Sequence, residues 1–203
     1  MAVEYTNRKG DVYHLHTGKT RTGKPRYYFS REQDDTPVGS IPAGFEIYES
    51  PEVGLVFLRK VKPVVVAPFE REMVCDGIRR HAELEHFLVD AQGDSLTVYL
   101  PAVSGDVPRV LAEGLGLFSP QKLRVETDRI MHRSPYVKMM RFVLVDEDKR
   151  MFHVGRWCFL GGIDNWMFLD GPATLAKLVG KYVKHLGTES FFELMRGHRY
   201  PPA

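Results

Sequence analysis

Four cationic side chains, Lys19, Arg21, Lys24 and Arg26, fall within the nine residues from Gly18 to Arg26, and no acid interrupts them. Ammonium and guanidinium groups at that density suit phosphate oxygens, as point charges from lysine and as bidentate forks from arginine. Tyr27, Tyr28 and Phe29 follow directly, so aromatic faces for a nucleobase stand beside cations for its backbone. Strand-type residues flank the segment and Thr22-Gly23 supplies turn chemistry, which predicts a hairpin with a two-residue turn. In that register Arg21 faces Lys24 and Lys19 faces Arg26. Like charges directly across a ladder repel, and an anionic partner would relieve them. Lys19, Arg21, Lys24, Arg26, Tyr27 and Tyr28 therefore form the candidate nucleic-acid site, with DNA or RNA as the partner. The plainer account is a solvated charged hairpin whose aromatic residues fill a small core.

Other chemical patterns fail on context. Gly18 to Lys24 matches the spacing of a phosphate-binding loop, but Pro25 stands where a hydroxyl should ligate magnesium, and a strand follows where a helix is needed. His14 and His16 share a strand face without a third metal ligand nearby, so they read as partly exposed strand histidines. His81, Glu85 and His86 lack the order that aligns two ligands on a helix and read as surface residues. Glu147-Asp148-Lys149 offers the acid-x-lysine unit of some nucleases, but its position argues otherwise: a hairpin tip is expected to be charged, and no partnering Asp on a neighbouring buried strand is apparent. Neither Cys75 nor Cys158 sits in a setting that lowers a thiol pKa, and there is no nucleophile elbow. No catalytic residue, metal site or cofactor is assigned.

Arg141 and Arg156 are a second candidate, an anion site. With Glu147-Asp148 as the turn of a long hairpin, the two fall on one face as diagonal partners among apolar residues. Asp164, Asp170 or Glu126 could satisfy them internally; a bound phosphate or carboxylate is the alternative. Trp157, Phe159, Trp166 and Phe168 alternate as core strand residues should.

These residues need elements to hold them. The composition, 43% hydrophobic and 27% charged, is that of a globular protein, and no apolar run approaches the roughly 20 residues of a bilayer span. The amino end lacks a secretory signal pattern, and two cysteines are too few for a disulfide framework, so a cytoplasmic location is expected. The net charge is +2, but the first 31 residues hold seven Lys and Arg against Glu4 and Asp11, which puts the attraction for polyanions in the amino-terminal part.

Residues 12–17, 26–31, 45–49 and 55–60 read as antiparallel strands that end near Pro63. Residues 69–81 read as a helix weakened by Gly77, and 106–133 as two helical pieces broken before Pro120. A hairpin follows around Gln92-Gly93-Asp94, a long one around 146–149, a strand over 166–169, a strongly patterned helix over 175–186, and a short helix near Phe191 and Leu194. The fold class is α+β: a small amino-terminal antiparallel module, residues 1–62, then a domain, residues 63–203, of a larger antiparallel sheet with helices packed on one face. The functional expectation is non-catalytic nucleic-acid binding without membrane contact. An enzyme acting on an anionic substrate, or a protein-interaction role through a patch near Phe191 and Phe192, are the rivals.

Overall fold

In the computed structural model the described residues are 3–32, 36, 38–103, 120–160 and 163–195. Among them ten strands run in order: β1 (Glu4–Thr6), β2 (Val12–Lys19), β3 (Pro25–Ser30), β4 (Phe45–Glu49), β5 (Val56–Lys60), β6 (Leu88–Gln92), β7 (Ser95–Pro101), β8 (Tyr136–Asp146), β9 (Met151–Leu160) and β10 (Ile163–Thr174). Four α-helices accompany them: α1 (Pro68–His81), α2 (Pro120–Arg133), α3 (Leu175–Tyr182) and α4 (Ser190–Glu193), with a 3₁₀ turn at Val183–His185. The architecture is α+β, with small antiparallel sheets first and a larger five-stranded sheet with helices after them. No helix among the described residues is long and apolar enough to cross a membrane.

The chain divides into two compact units, residues 1–61 with 101–136, and residues 62–100 with 137–203. The unit holding the amino-terminal strands thus also holds 101–136, a stretch that the sequence reading attaches to the later domain. Of the two helical pieces expected over 106–133, the second is α2, and the first lies outside the described residues.

In the first unit β2 is the middle strand of a three-stranded antiparallel sheet, and β4 pairs with β5. β1 escapes sequence analysis because three residues carry no readable period. The turn after it is built by Asn7, whose Oδ1 accepts the backbone N–H groups of Lys9 and Asp11 at 3.0 and 2.8 Å and whose Nδ2 donates to the Gly54 carbonyl at 2.7 Å. Beside it Arg8 donates to Glu49 Oε1 at 2.8 Å and to the carbonyls of Ser50 and Pro51 at 2.9 and 2.6 Å. One buried arginine therefore ties the β1–β2 turn to the β4–β5 hairpin, with its charge paired and most of its donors used.

In the second unit the strand order is β10-β9-β8-β7-β6. Strand side chains alternate between faces, and one alternation supplies the core: Leu96, Val98 and Leu100 from β7, Met140, Phe142 and Leu144 from β8, Phe152 and Val154 from β9. Val74, Cys75 and Ile78 of α1 and Leu175, Leu178 and Val179 of α3 join that cluster at helical spacing. Glu70, only 2% exposed, anchors the start of α1. Its Oε2 accepts the Ala67 N–H at 2.8 Å, and Arg150 donates to both of its oxygens, through Nε at 2.9 Å and through Nη2. A cation from the β8–β9 loop thus neutralises an otherwise costly buried carboxylate.

Gly77 weakens α1 when judged by propensity alone. The structure supplies its reason: a Cβ at position 77 would run into Val179 Cγ1 of α3. Glycine here permits close approach of two helices. Gly77→Ala should therefore destabilise the protein by about 2 kcal/mol despite alanine's better helix propensity, as read from chemical denaturation. Adding Val179→Ala should recover part of that loss, and a Gly77→Ala protein as stable as the parent would contradict the packing.

Candidate nucleic-acid interface

The basic segment forms the β2–β3 hairpin, but with a different turn from the one expected. Lys19 lies opposite Pro25, Gly18 opposite Arg26 and Thr17 opposite Tyr27. The connection is a three-residue loop, Arg21-Thr22-Gly23. The Gly23 N–H donates to the Thr20 carbonyl at 2.9 Å, the Thr20 N–H donates to the Lys24 carbonyl at 2.8 Å, and Gly23 adopts φ +78°. A type I turn closed by a left-handed glycine is the usual three-residue solution, and Gly23 fits it better than a two-residue turn. Thr20 Oγ1 also accepts the Lys24 N–H at 3.1 Å.

The added loop residue shifts the ladder by one position, so cation no longer faces cation. The repulsion predicted across the hairpin is absent. Arg26 and Tyr28 share one face, while Lys19 and Tyr27 share the other. Lys19, Arg21, Lys24 and Arg26 are all exposed, and among the described residues no ion pair engages them. The tyrosines are half-buried. Tyr28 stacks on His16, ring centroids 5.5 Å apart, and Arg26 lies 5.9 Å from the centre of its ring. Its ring is thereby partly committed to the protein.

β2 holds the hairpin through burial on both faces: Leu15 is fully buried, and Tyr13, His14 and His16 are nearly so. The histidines expected to be partly exposed are instead interior, because β1, β3 and the rest of the unit cover the middle strand. His14 Nδ1 lies 3.4 Å from Glu4 Oε1. Among the described residues neither histidine joins a cluster of three ligand-type side chains.

The second candidate changes more. Met140 lies opposite Arg156 and Arg141 opposite Gly155, with a bulge between Leu144 and Asp146. This register differs by one residue from a ladder closed by Glu147-Asp148, and such a slip transfers side chains to the other face. Arg141 and Arg156 therefore lie on opposite faces and form no common anion site. Arg156 points into the core side, 5% exposed. Its Nε donates to the Leu194 carbonyl at 2.7 Å, Nη2 to that of Phe192 at 3.1 Å and Nη1 to that of Trp157 at 3.3 Å. The partners are thus main-chain carbonyls, two of them at the carboxyl end of α4, rather than Asp164, Asp170 or Glu126. A cation is favourable at a helix end where carbonyls lack intrahelical donors.

Arg141 lies on the other face, where its guanidinium sits 4.6 Å from the Trp166 ring centre. Partial burial holds it below the ordinary arginine pKa, while the Asp94 carboxylate pulls the other way. Trp166 pairs across the ladder with Trp157, edge to face at 5.1 Å, and Lys138 Nζ lies 4.8 Å from the Trp157 ring centre. Phe168 and His153 meet edge to face at 5.0 Å, and Phe159 is 43% exposed. None of these four large aromatic residues joins the core cluster, so the core assignment from alternation is corrected. The ambiguity was real, because both alternations of β9 are apolar: Phe152, Val154 and Cys158 on one face, Trp157 and Phe159 on the other. Sequence reasoning missed Lys138, and the only available sign was a positive charge two residues into a strand.

Comparison of the chain with family models, with curated proteins and with solved structures finds no match. The geometry alone carries the functional reading.

The two arginines should separate in stability measurements. Arg156→Met strips the carbonyls of Phe192 and Leu194 of their donors and should cost about 2–4 kcal/mol, whereas Arg141→Met should stay within about 1 kcal/mol of the parent. Urea titration of both variants checks this, and equal losses would contradict the assigned faces.

Proposed function

We propose that this protein binds nucleic acid without catalysis, using the β2–β3 hairpin as a phosphate-contacting arm. The reading rests on one observation: Lys19, Arg21, Lys24 and Arg26 are exposed on one hairpin with no ion pair to them among the described residues. Exposed cations left without carboxylates retain their attraction for a polyanion, and they displace condensed counterions when they meet it. The corrected register puts two of them on opposite faces and two at the loop. Such a spread suits contact with phosphates along a groove or a strand better than one converging anion pocket. Tyr27 and Tyr28 back the arm, and Tyr28 serves mainly to brace Arg26 and His16.

Binding of this kind is weakly sequence-dependent, because phosphates report no base identity. Affinity for DNA or RNA should be about micromolar or weaker at physiological salt, and the double-logarithmic salt slope should be about −3, the release from about four phosphate contacts. Replacing the four cations together, Lys19→Gln, Arg21→Gln, Lys24→Gln and Arg26→Gln, should flatten that slope toward zero and weaken low-salt binding at least about tenfold. Anisotropy of a labelled duplex oligonucleotide, titrated at several salt concentrations, measures both. Absence of binding at low salt, or an unchanged slope in the variant, would refute the arm.

A further inference from the structure

The face of the five-stranded sheet opposite the core carries a second arrangement that the hairpin does not explain. Trp157 and Trp166 lie side by side on adjacent strands with their rings 5.1 Å apart. A cation rests over each: Lys138 over Trp157 and Arg141 over Trp166. Gly155, opposite both Arg141 and Phe168, lies tight against β10, where a Cβ would come within 2.9 Å of the Met167 carbonyl oxygen. Large aromatic residues normally enter the core, where each buries well over 100 Å². Here they are half-buried on the open face, together with half-buried His153 and Phe168 and exposed Phe159.

Charge identifies the occupant. Protein interfaces enrich tryptophan and arginine but deplete lysine at the centre, and here Lys138 stands with Arg141 over the two tryptophans. Among the described residues no hydrogen bond or ion pair engages the guanidinium of Arg141, although a half-buried arginine ordinarily spends its donors within the protein. Aromatic rings beside unspent guanidinium donors match a ligand that is planar and anionic at once. Unstacked nucleotides have that chemistry, since bases stack on aromatic rings or on arginine planes while phosphates or base edges take the donors. Asp94 is within electrostatic reach of Arg141, and Asp164 lies opposite Phe159 on the ladder.

The geometry points to a single-strand-binding platform on this face, with Trp157 and Trp166 stacking bases and Arg141 and Lys138 contacting the strand. The platform belongs to the second unit and stands independently of the hairpin arm. It selects unpaired nucleotides, because bases inside a duplex present no free faces to a flat sheet.

The chain has two tryptophans, both in this arrangement, so intrinsic tryptophan emission reports on it alone. Titration of the full chain with an oligothymidylate of about a dozen nucleotides should quench that emission saturably. The matched duplex and an oligoglutamate of similar charge should leave it nearly unchanged. Arg141→Gln should shift the midpoint about tenfold upward, and Trp166→Phe should keep the affinity within about threefold while removing part of the signal. Quenching should persist in the four-glutamine hairpin variant. An unchanged duplex salt slope in that variant with quenching intact would sink the arm and leave the platform standing. Unchanged emission while anisotropy shows bound oligothymidylate would overturn the platform. Equal quenching by duplex or oligoglutamate, or its disappearance in the hairpin variant, would overturn it too.

Discussion

Register in the β8–β9 hairpin decides what each face of the larger sheet contains. The loop is four residues long and a bulge intervenes between Leu144 and Asp146, so Phe142 meets Val154 and Met140 meets Arg156. Because strand side chains repeat every two residues, this pairing sends one set inward and the other outward with no intermediate choice. Phe142, Phe152 and Val154 then meet α1 and α3 in one cluster. The same constraint that fills the core therefore places Arg141 and two tryptophans on the surface.

Charge and aromaticity, which the sequence presents together between Gly18 and Phe29, are divided in the structure. The hairpin keeps the charge: its cations are exposed, while Tyr28 is drawn into contact with His16 and Arg26. The rings with cations over them lie in the other unit. Electrostatic attraction acts over roughly 10 Å in dilute salt and is indifferent to shape. Stacking acts only at contact and needs a flat, unstacked base. In the proposed reading the two features divide the physical tasks, encounter in one case and discrimination of strandedness in the other.

Much of the fold was legible in local patterns. The Gln92-Gly93-Asp94 turn, the long strands on either side of Asp146 and the helix beginning at Leu175 all carry period and punctuation that agree, and the structure has an element at each. Register was not legible, because turn length depends on a hydrogen-bond pattern rather than on composition. Thr20 Oγ1 capping Lys24 and the left-handed Gly23 selected three residues where Thr22-Gly23 suggested two. The same difficulty hid the opposite facing of Arg141 and Arg156. Long-range partnerships were equally silent: nothing near Glu70 in the chain announces Arg150, and nothing near Arg8 announces Glu49. The attachment of 101–136 to the first unit is of that kind as well.

The side chain of Arg156 illustrates one outcome of such partnerships. Two of its three acceptors, at Phe192 and Leu194, are translated more than thirty residues later. On the ribosome, where domains consolidate as they emerge, the guanidinium of β9 has no such carbonyls while the strand is first exposed, and burying it early would leave it desolvated and unpaired. Closure of the sheet over that position must therefore await α4 and the Leu194 carbonyl after it. Nascent chains halted short of Leu194 should present a loosely held β9, a natural handle for chaperones during synthesis.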